Sequence, residues 1–596
     1  MKILLVAINA KYIHSNLAVY SLKTYASQYK DSVSIIELTI NHSEEEILKQ
    51  IYLQRADVVA FSCYIWNIDM INRVTCELRK IQKQVKIWYG GPEVSYDADA
   101  CLKQNRDVDG IIIGEGEQTF LELAAYYIDG KSKLSNINGL AFKVSAEVMH
   151  TRKSDDHVVS DQHTDIYGRE EYDSVTVTPV RHALSLDDIP FPYQDMEVFR
   201  NKIIYYESSR GCPFSCSYCL SSIDKRVRLR SFELVRKELK LFLDYQVPQV
   251  KFVDRTFNCN RTHTMDIWRF IKENDNLITN FHFEISADLL NEEEIAFLKT
   301  LRPGQIQLEI GVQSTNMDTV KAIHRSMDFE KVVSHVNQIK GFQNIHQHLD
   351  LIVGLPHEGY ASFEKSFEDV YRLKPDQLQL GFLKVLKGSL MEQESERYKI
   401  IYRNTAPYEV LATKELSFDE VLKLKGICEM VEVYYNSGQF TYSIQYLEHS
   451  FTSPMKLYRA LSDYYEWKGW DSIAHTRMRR FEILLEFYKE VILKTTDHSL
   501  EEVSLFVEIL IFDLFLREGM KARPGFAPSI LNQDRLKALY RQYQTDRRMI
   551  HIEQFQFDVI RSANLGKPVR KSMTILFDYK NRDLLNKSAQ RTQLQG

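Results

Sequence analysis

At 596 residues the chain exceeds what a single hydrophobic core organises, and about two to four domains are expected. Apolar residues make up 44% and charged residues 26%, which excludes a disordered or fibrous chain. A formal net charge of −5 gives no broad basic surface, so nothing in the charge balance points to nucleic acid.

The chain opens on MKILLVAINAKYIHSN, which has neither the length nor the small-residue cleavage site of a signal peptide. Over residues 1–130 five β-type runs (KILLVAI, VSIIEL, DVVAFS, VKIWYG, DGIIIG) alternate with amphipathic stretches such as NIDMINRVTCELRKIQK. That alternation predicts a doubly wound, Rossmann-like parallel sheet. Ligands of such sheets lie beyond the carboxyl ends of the strands, at a topological switch point. The unusual residues fall at those ends: Ser62, then Gly90, Gly91 and Pro92, then Gly114, Glu115, Gly116 and Glu117. Glycines without a Cβ let a flat ligand approach the backbone, and Glu115 and Glu117 open a helix whose dipole favours negative charge. A nicotinamide dinucleotide is not expected, because INAKYIHSNLA replaces the G-x-G-x-x-G turn after the first strand.

Residues 131–199 read as a hairpin (INGLAFKVSAEVMHTRK), a polar stretch with Asp156, His157, Gln162 and His163, and an extended linker at LDDIPFPYQDM. From 200 to 395 the alternation resumes with six runs: KIIYYESS, QVKFVDRTF, NFHFEIS, QIQLEIGVQS, HLDLIVGLP and QLQLGFLKV. Six β/α units suggest an open or closed α/β barrel, with chemistry on the loops after the strands. Residues 396–596 are mainly helical and aromatic-rich, with a short β-type end near SMTILFDY, and show no catalytic constellation. The longest apolar run, VSLFVEILIFDLFL (503–516), contains Glu508 and Asp513 and is too short to span a bilayer, so a buried helix and no membrane are expected.

The chain has 8 cysteines, and three of them cluster in RGCPFSCSYCLSS: Cys212, Cys216 and Cys219, directly after the first barrel strand. A structural zinc site wants four ligands and a disulfide an even count. Three thiolates suit a four-iron cluster that leaves one iron open. C-x3-C-x2-C with Tyr218 before the last cysteine resembles the radical S-adenosylmethionine (SAM) signature. The resemblance implies a [4Fe–4S] cluster whose open iron is chelated by SAM, which is cleaved reductively. It extends across 200–390. KFVDRTFNCN places Asp254 and Arg255 at the SAM site, although the family commonly has a Gly-rich pair there. FEISADLL offers Ser286 for the ribose, LEIGVQS offers Gln313 and Glu309, and DLIVGLPHE resembles the strand end of the adenine pocket. The basic run IDKRVRLRS, with Lys225, Arg226, Arg228 and Arg230, reads as a solvated surface or as a clamp for an anion.

A doubly wound domain ahead of such a barrel resembles the cobalamin-binding class of radical SAM enzymes. IWYGGPEVSYDADA looks like its GGP loop and VDGIIIGEGEQTFLEL its GEGE loop, with Ser62 placed to hydrogen-bond the nucleotide tail. The D-x-H-x-x-G motif of that cofactor is absent after the first strand, and DDHVVS (155–160) lies outside the sheet. Cobalamin without a histidine lower ligand from that motif is therefore expected, with His14 on the surface or the substrate side. Cys63, Cys76 and Cys101 read as buried hydrophobes and not as ligands of a second cluster, which sets aside a methylthiotransferase.

The expected architecture is α/β: a Rossmann-like cobalamin-binding domain (1–130), a hairpin and linker (131–199), a radical SAM partial (β/α)6 barrel (200–395) and a mainly helical C-terminal domain (396–596). The resemblance implies SAM cleavage at the cluster and methylation of an unactivated centre. Its rivals are a radical SAM enzyme with the first domain as scaffold, and a non-catalytic cobalamin or cluster sensor. Implied partners are a small-molecule or peptide substrate and a reductant such as flavodoxin or ferredoxin. Scattered cysteines without an export signal suggest a reducing cytoplasm.

Overall fold

The computed structural model describes residues 1–145, 172–495, 500–520, 523–543 and 549–594. They form two compact units, one made of 1–285, 323–325 and 383–411, the other of 286–322, 326–382 and 412–596.

The first unit begins with a seven-stranded sheet. Its strands are β1 (Ile3–Asn9), β2 (Val33–Thr39), β3 (Val58–Ser62), β4 (Lys86–Gly90), β5 (Gly110–Ile112), β6 (Leu140–Ser145) and β7 (Tyr172–Val177), in the order β2-β1-β3-β4-β5-β6-β7. The first five run parallel and the last two antiparallel. Helices α1 (Leu17–Tyr25), α2 (Glu44–Leu53), α3 (Ile68–Ile81), α4 (Pro92–Ser95) and α5 (Ala98–Gln104) connect the parallel strands, and α6 (Glu117–Asp129) leads from β5 to the antiparallel β6. Every residue of β1 is buried. Leu4, Val6 and Ile8 enter the core on one face while Ile3, Leu5 and Ala7 enter the core on the other. A parallel strand covered on both faces reads as a continuous apolar run, which is why KILLVAI was legible as a strand.

The sheet is larger than the sequence suggests. Leu140–Ser145 pairs not within 137–153 but with Tyr172–Val177, so the hairpin extends the first sheet. The pairing is set by the free edge of β5, whose ladder groups Leu140 and Ala141 satisfy. Asp156, His157, Gln162, His163 and the DDHVVS segment lie outside the described residues.

The expected barrel region supplies six parallel strands, three in each unit. The first unit holds β8 (Ile204–Tyr206), β11 (Gln249–Phe252) and β12 (Asn280–Ile285), with β11 paired to both neighbours. Between β8 and β11 a short antiparallel pair, β9 (Ser209–Arg210) and β10 (Arg228–Leu229), closes a loop. The second unit holds β13 (Ile306–Gln313), β14 (His346–Val353) and β15 (Gln377–Phe382), with β14 in the middle.

The rest of the second unit is helical, with a three-stranded antiparallel sheet formed by Ile550–Phe557, Arg570–Arg582 and Ala589–Leu594. The helix Leu500–Arg517 is buried over most of its length. Its two buried acidic residues are spent on backbone donors. Glu508 accepts from the N–H groups of Gln556 and Phe557, and Asp513 from those of Tyr442 and Ser443. Among the described residues no helix is long and apolar enough to cross a membrane.

Candidate functional site

In the first sheet the connection reverses between β1 and β3, so the loops after β1, β3, β4 and β5 share the carboxyl edge at the switch point. Gly91, after β4, has φ +117° and ψ 175°, a region open to glycine alone. A Cβ there would stand 2.5 Å from the Cys63 carbonyl oxygen. Gly114, after β5, also has positive φ (+73°), but a Cβ would meet nothing within 4 Å, so the loop faces open space. Pro92 occupies the first turn of α4, where its missing N–H costs nothing. Ser62 is buried at the end of β3, 3.5 Å from the Asn16 amide. Gly90 ends β4, and Gly116 precedes α6 beneath Leu22.

Three aromatic residues stand exposed on these loops: Tyr12, Trp66 and Tyr96. Trp66 stacks on Tyr64 with ring centres 4.3 Å apart and planes 8° from parallel. Glu93, buried beside the Gly91 turn, accepts from the Tyr408 hydroxyl and lies 3.4 Å from Lys387 Nζ. Burial raises its carboxyl above the ordinary range, against the pull of both partners. The open glycine-lined edge with aromatic rims fits a broad planar cofactor such as a corrin.

His14 is not at liberty on the surface. Its Nδ1 lies 2.6 Å from the Tyr205 hydroxyl on β8, and burial lowers its pKa, as do Lys11 and Lys251.

Cys212, Cys216 and Cys219 lie on the loop closed by β9 and β10. Backbone hydrogen bonds fix that loop: Cys219 N–H to Cys216 O (3.2 Å), Ser217 N–H to Ile323 O (2.9 Å) and Met391 N–H to Ser217 O (2.8 Å). Cys212 and Cys216 are buried and Cys219 partly so. Three thiolates on one loop suit a cubane with one iron per thiolate.

Arg325, 109 residues away in sequence, places Nη1 3.9 Å from Cys216 Sγ and donates to the Tyr218 hydroxyl at 3.4 Å. Tyr218 is therefore held by a cation beside the cluster loop, and burial raises its pKa. Thr256 Oγ1 lies 3.5 Å from Cys212 Sγ. Cys259 also lies close, its thiol pushed up to about 11 by burial and then by Cys212.

Asp254 is fully enclosed. Its carboxylate accepts from Ser208 N–H (3.0 Å), Ser208 Oγ (2.6 Å) and Ser209 Oγ (2.6 Å), so it reaches the cluster loop only through those serines. Burial pushes its pKa up to about 6, against these hydrogen bonds.

The basic run divides. Arg226 is exposed beside Asp224, whereas Arg230 is buried on Glu238. Arg228 pairs with Glu115 and donates to the Leu184 carbonyl. Arg210, two residues before Cys212, binds Glu117 (2.6 Å), Glu207 (2.9 Å) and Glu115 (3.2 Å). Burial alone would raise the Glu117 carboxyl, but Arg210 leaves it below the ordinary range. Glu115 and Glu117 thus tie the loop after β5 to the loop that carries the cysteines.

The remaining expected residues belong to the second unit. Ser286 is buried and donates to Asp288 at 2.7 Å. Gln313 ends β13 at a register shift with φ +72°, rare outside glycine, and its Oε1 is buried without a hydrogen-bond partner. An orphaned acceptor at a strained strand end fits a ligand contact. Glu309 lies four residues earlier, roughly 13 Å down the strand at ~3.3 Å per residue. Sequence reasoning missed Arg325, Tyr64, Trp66 and Cys259, since no spacing connects them to the cysteine triplet.

Family models match three stretches: a B12 binding domain over residues 3–124, the radical SAM superfamily over 206–370, and DUF4080, a protein family of unknown function, over 396–577. Among curated relatives, an uncharacterized methyltransferase of Pyrococcus horikoshii is 25% identical over 358 residues, 58% of this chain and 70% of that protein. The cobalamin-dependent radical SAM methyltransferase TokK of Streptomyces tokunonensis is 24% identical over 312 residues, covering 52% of this chain and 44% of TokK. The chain therefore spans less than half the length of the latter. The solved structure of the cobalamin-dependent SAM radical enzyme OxsB shares the fold, with a TM-score of 0.56 and 14% identity over 91% of this chain and 82% of that one. The B12-binding match thus covers β1 to β5, and the radical SAM match covers the cysteine loop and the strands β9 to β14.

Proposed function

We propose that this chain, a cobalamin-dependent radical SAM enzyme, methylates an unactivated centre of its substrate. One observation carries the reading: a single compact unit holds both the open glycine-lined sheet edge and the three-cysteine loop, tied together by Arg210 and Arg228 on Glu115 and Glu117. When bound, the cluster, SAM and cobalamin supply radical generation and methyl carriage, and the protein supplies placement and shielding.

Cys212, Cys216 and Cys219 would hold the cluster, with Arg325 and Tyr218 fixing the loop beside Cys216. Gly91 and Gly114, with Ser62 at the end of β3, would seat the corrin and its tail. Gln313 and Ser286 would contact SAM. Glu115 and Glu117 hold the two cofactor loops in register, and Asp254 anchors the strand leading into the cysteine loop. A small-molecule or peptide substrate and a reductant such as flavodoxin or ferredoxin complete the reading.

The test is anaerobic purification with cobalamin supplied, then absorbance spectra and an assay for 5′-deoxyadenosine and S-adenosylhomocysteine under reduction. A corrin spectrum, cluster absorbance and SAM turnover are expected together, and all cluster absorbance should vanish in Cys216→Ala. Turnover without bound corrin would overturn the cobalamin role, and SAM cleavage retained in Cys216→Ala would overturn the cluster assignment.

A further inference from the structure

A second cluster of ligating groups lies away from the cysteines, within the second unit. Along β13 burial alternates: Ile306, Leu308, Ile310 and Val312 are fully buried, while Gln307, Glu309, Gly311 and Gln313 share the other face. The parallel register sets Glu309 opposite His348 and Gly311 opposite Asp350. Successive side chains of a strand alternate faces, so His348 and Asp350 lie on one face of β14, beside Glu309. Gly311 contributes no side chain there.

The three residues are gathered closely. Their ligand atoms all lie within 4.8 Å of one another, the one such set of His, Cys, Asp and Glu among the described residues. His348 Nε2 is 2.9 Å from Asp350 Oδ1, and the two side chains are 8% and 18% exposed. Glu309 and Asp350 thus bring two carboxylates beside one imidazole on adjacent strands. The 2.9 Å separation is that of a direct His348–Asp350 contact, which an ion bound between the three residues would replace.

We infer that Glu309, His348 and Asp350 form a binding site for a divalent first-row cation of the Mn2+, Fe2+ or Zn2+ type. One imidazole and two carboxylates are the donor set such ions accept, and no thiolate is involved, so the site is chemically distinct from the cysteine loop. Three protein ligands leave coordination positions open for water or for an oxygen of a bound molecule. The strand position agrees. Glu309 lies well below the Gln313 end of β13, too deep to share a ligand with it.

The full-length, cluster-loaded protein would be titrated with Mn2+ under anaerobic conditions while the six-line resonance of the free ion is followed. One Mn2+ per chain is expected, with nitrogen modulation from a single imidazole in the electron spin echo of the bound ion. Glu309→Gln and Asp350→Asn should each weaken binding roughly tenfold or more, while the exposed-site control Glu44→Gln should not. Absence of Mn2+ and Zn2+ uptake would overturn the site, as would bound Mn2+ without nitrogen modulation or uptake indifferent to both substitutions. The echo measurement uses the unaltered chain, so it decides the matter even if a variant fails to fold.

Discussion

Replacing Asp254 with alanine tests whether its buried carboxylate anchors the strand that leads into the cysteine loop. The substitution removes the acceptor for Ser208 N–H, Ser208 Oγ and Ser209 Oγ, all within 3.0 Å. Ser208 Oγ retains His263 Nε2 at 3.0 Å, so two buried donors are left without a partner. At about 1–3 kcal/mol each, the local cost is roughly 2–6 kcal/mol.

The native carboxyl carries a cost of its own. Its pKa is pushed up from 3.8 to about 6, so its contribution is fully present below the unfolded value and is lost as pH rises through about 6. Between pH 5 and pH 8 that loss amounts to about 1 kcal/mol, and alanine abolishes it. The penalty of Asp254→Ala should therefore be larger at pH 5 than at pH 8 by about that amount. Hydrogen exchange read by mass spectrometry on peptides spanning 203–212 measures the local opening free energy at both pH values. A penalty under about 1 kcal/mol at pH 5, or one that grows with pH, would refute the reasoning.

Further outcomes follow from the same geometry. Gly91→Ala should destabilise the first unit by about 3 kcal/mol or more and weaken corrin binding while leaving cluster absorbance intact. Unchanged thermal midpoint and corrin affinity would contradict this. Arg210→Ala leaves Glu117, 4% exposed, without its main cation, at a cost of about 3–5 kcal/mol, and iron content per chain should fall. Full iron retention at wild-type stability would sink the idea. In the second unit, burial pushes Glu358 up to about 7, although Ser314 and Ser366 both donate to its Oε1. Its contribution is lost as pH rises from the ordinary carboxylate range through about 7, about 2 kcal/mol between pH 5 and pH 8. Glu358→Gln should flatten that dependence in urea titrations, and an unaltered slope would count against it.

The local alphabet of this protein is legible in its sequence because the governing rules are local. Continuous apolar runs such as KILLVAI declare strands buried on both faces, and C-x3-C-x2-C with the G-G-P and G-E-G-E turns marks the loops proposed to hold the cofactors, since ligand spacing and positive φ are short-range demands. The strand partner of Leu140–Ser145 is not legible, because it is chosen by the open edge of β5 and not by a nearby turn. Other assignments depended on which groups folding brings together. Asp254 turned inward onto Ser208 and Ser209, and Glu115 and Glu117 found Arg228 and Arg210 about a hundred residues away. Arg325 reached Cys216, and Glu309 met His348 and Asp350 across a strand register. Sequence alone determined which local elements and loop motifs the chain carries. Only tertiary structure decided which buried charges face each other, because the energy of a charge depends on its neighbours in space.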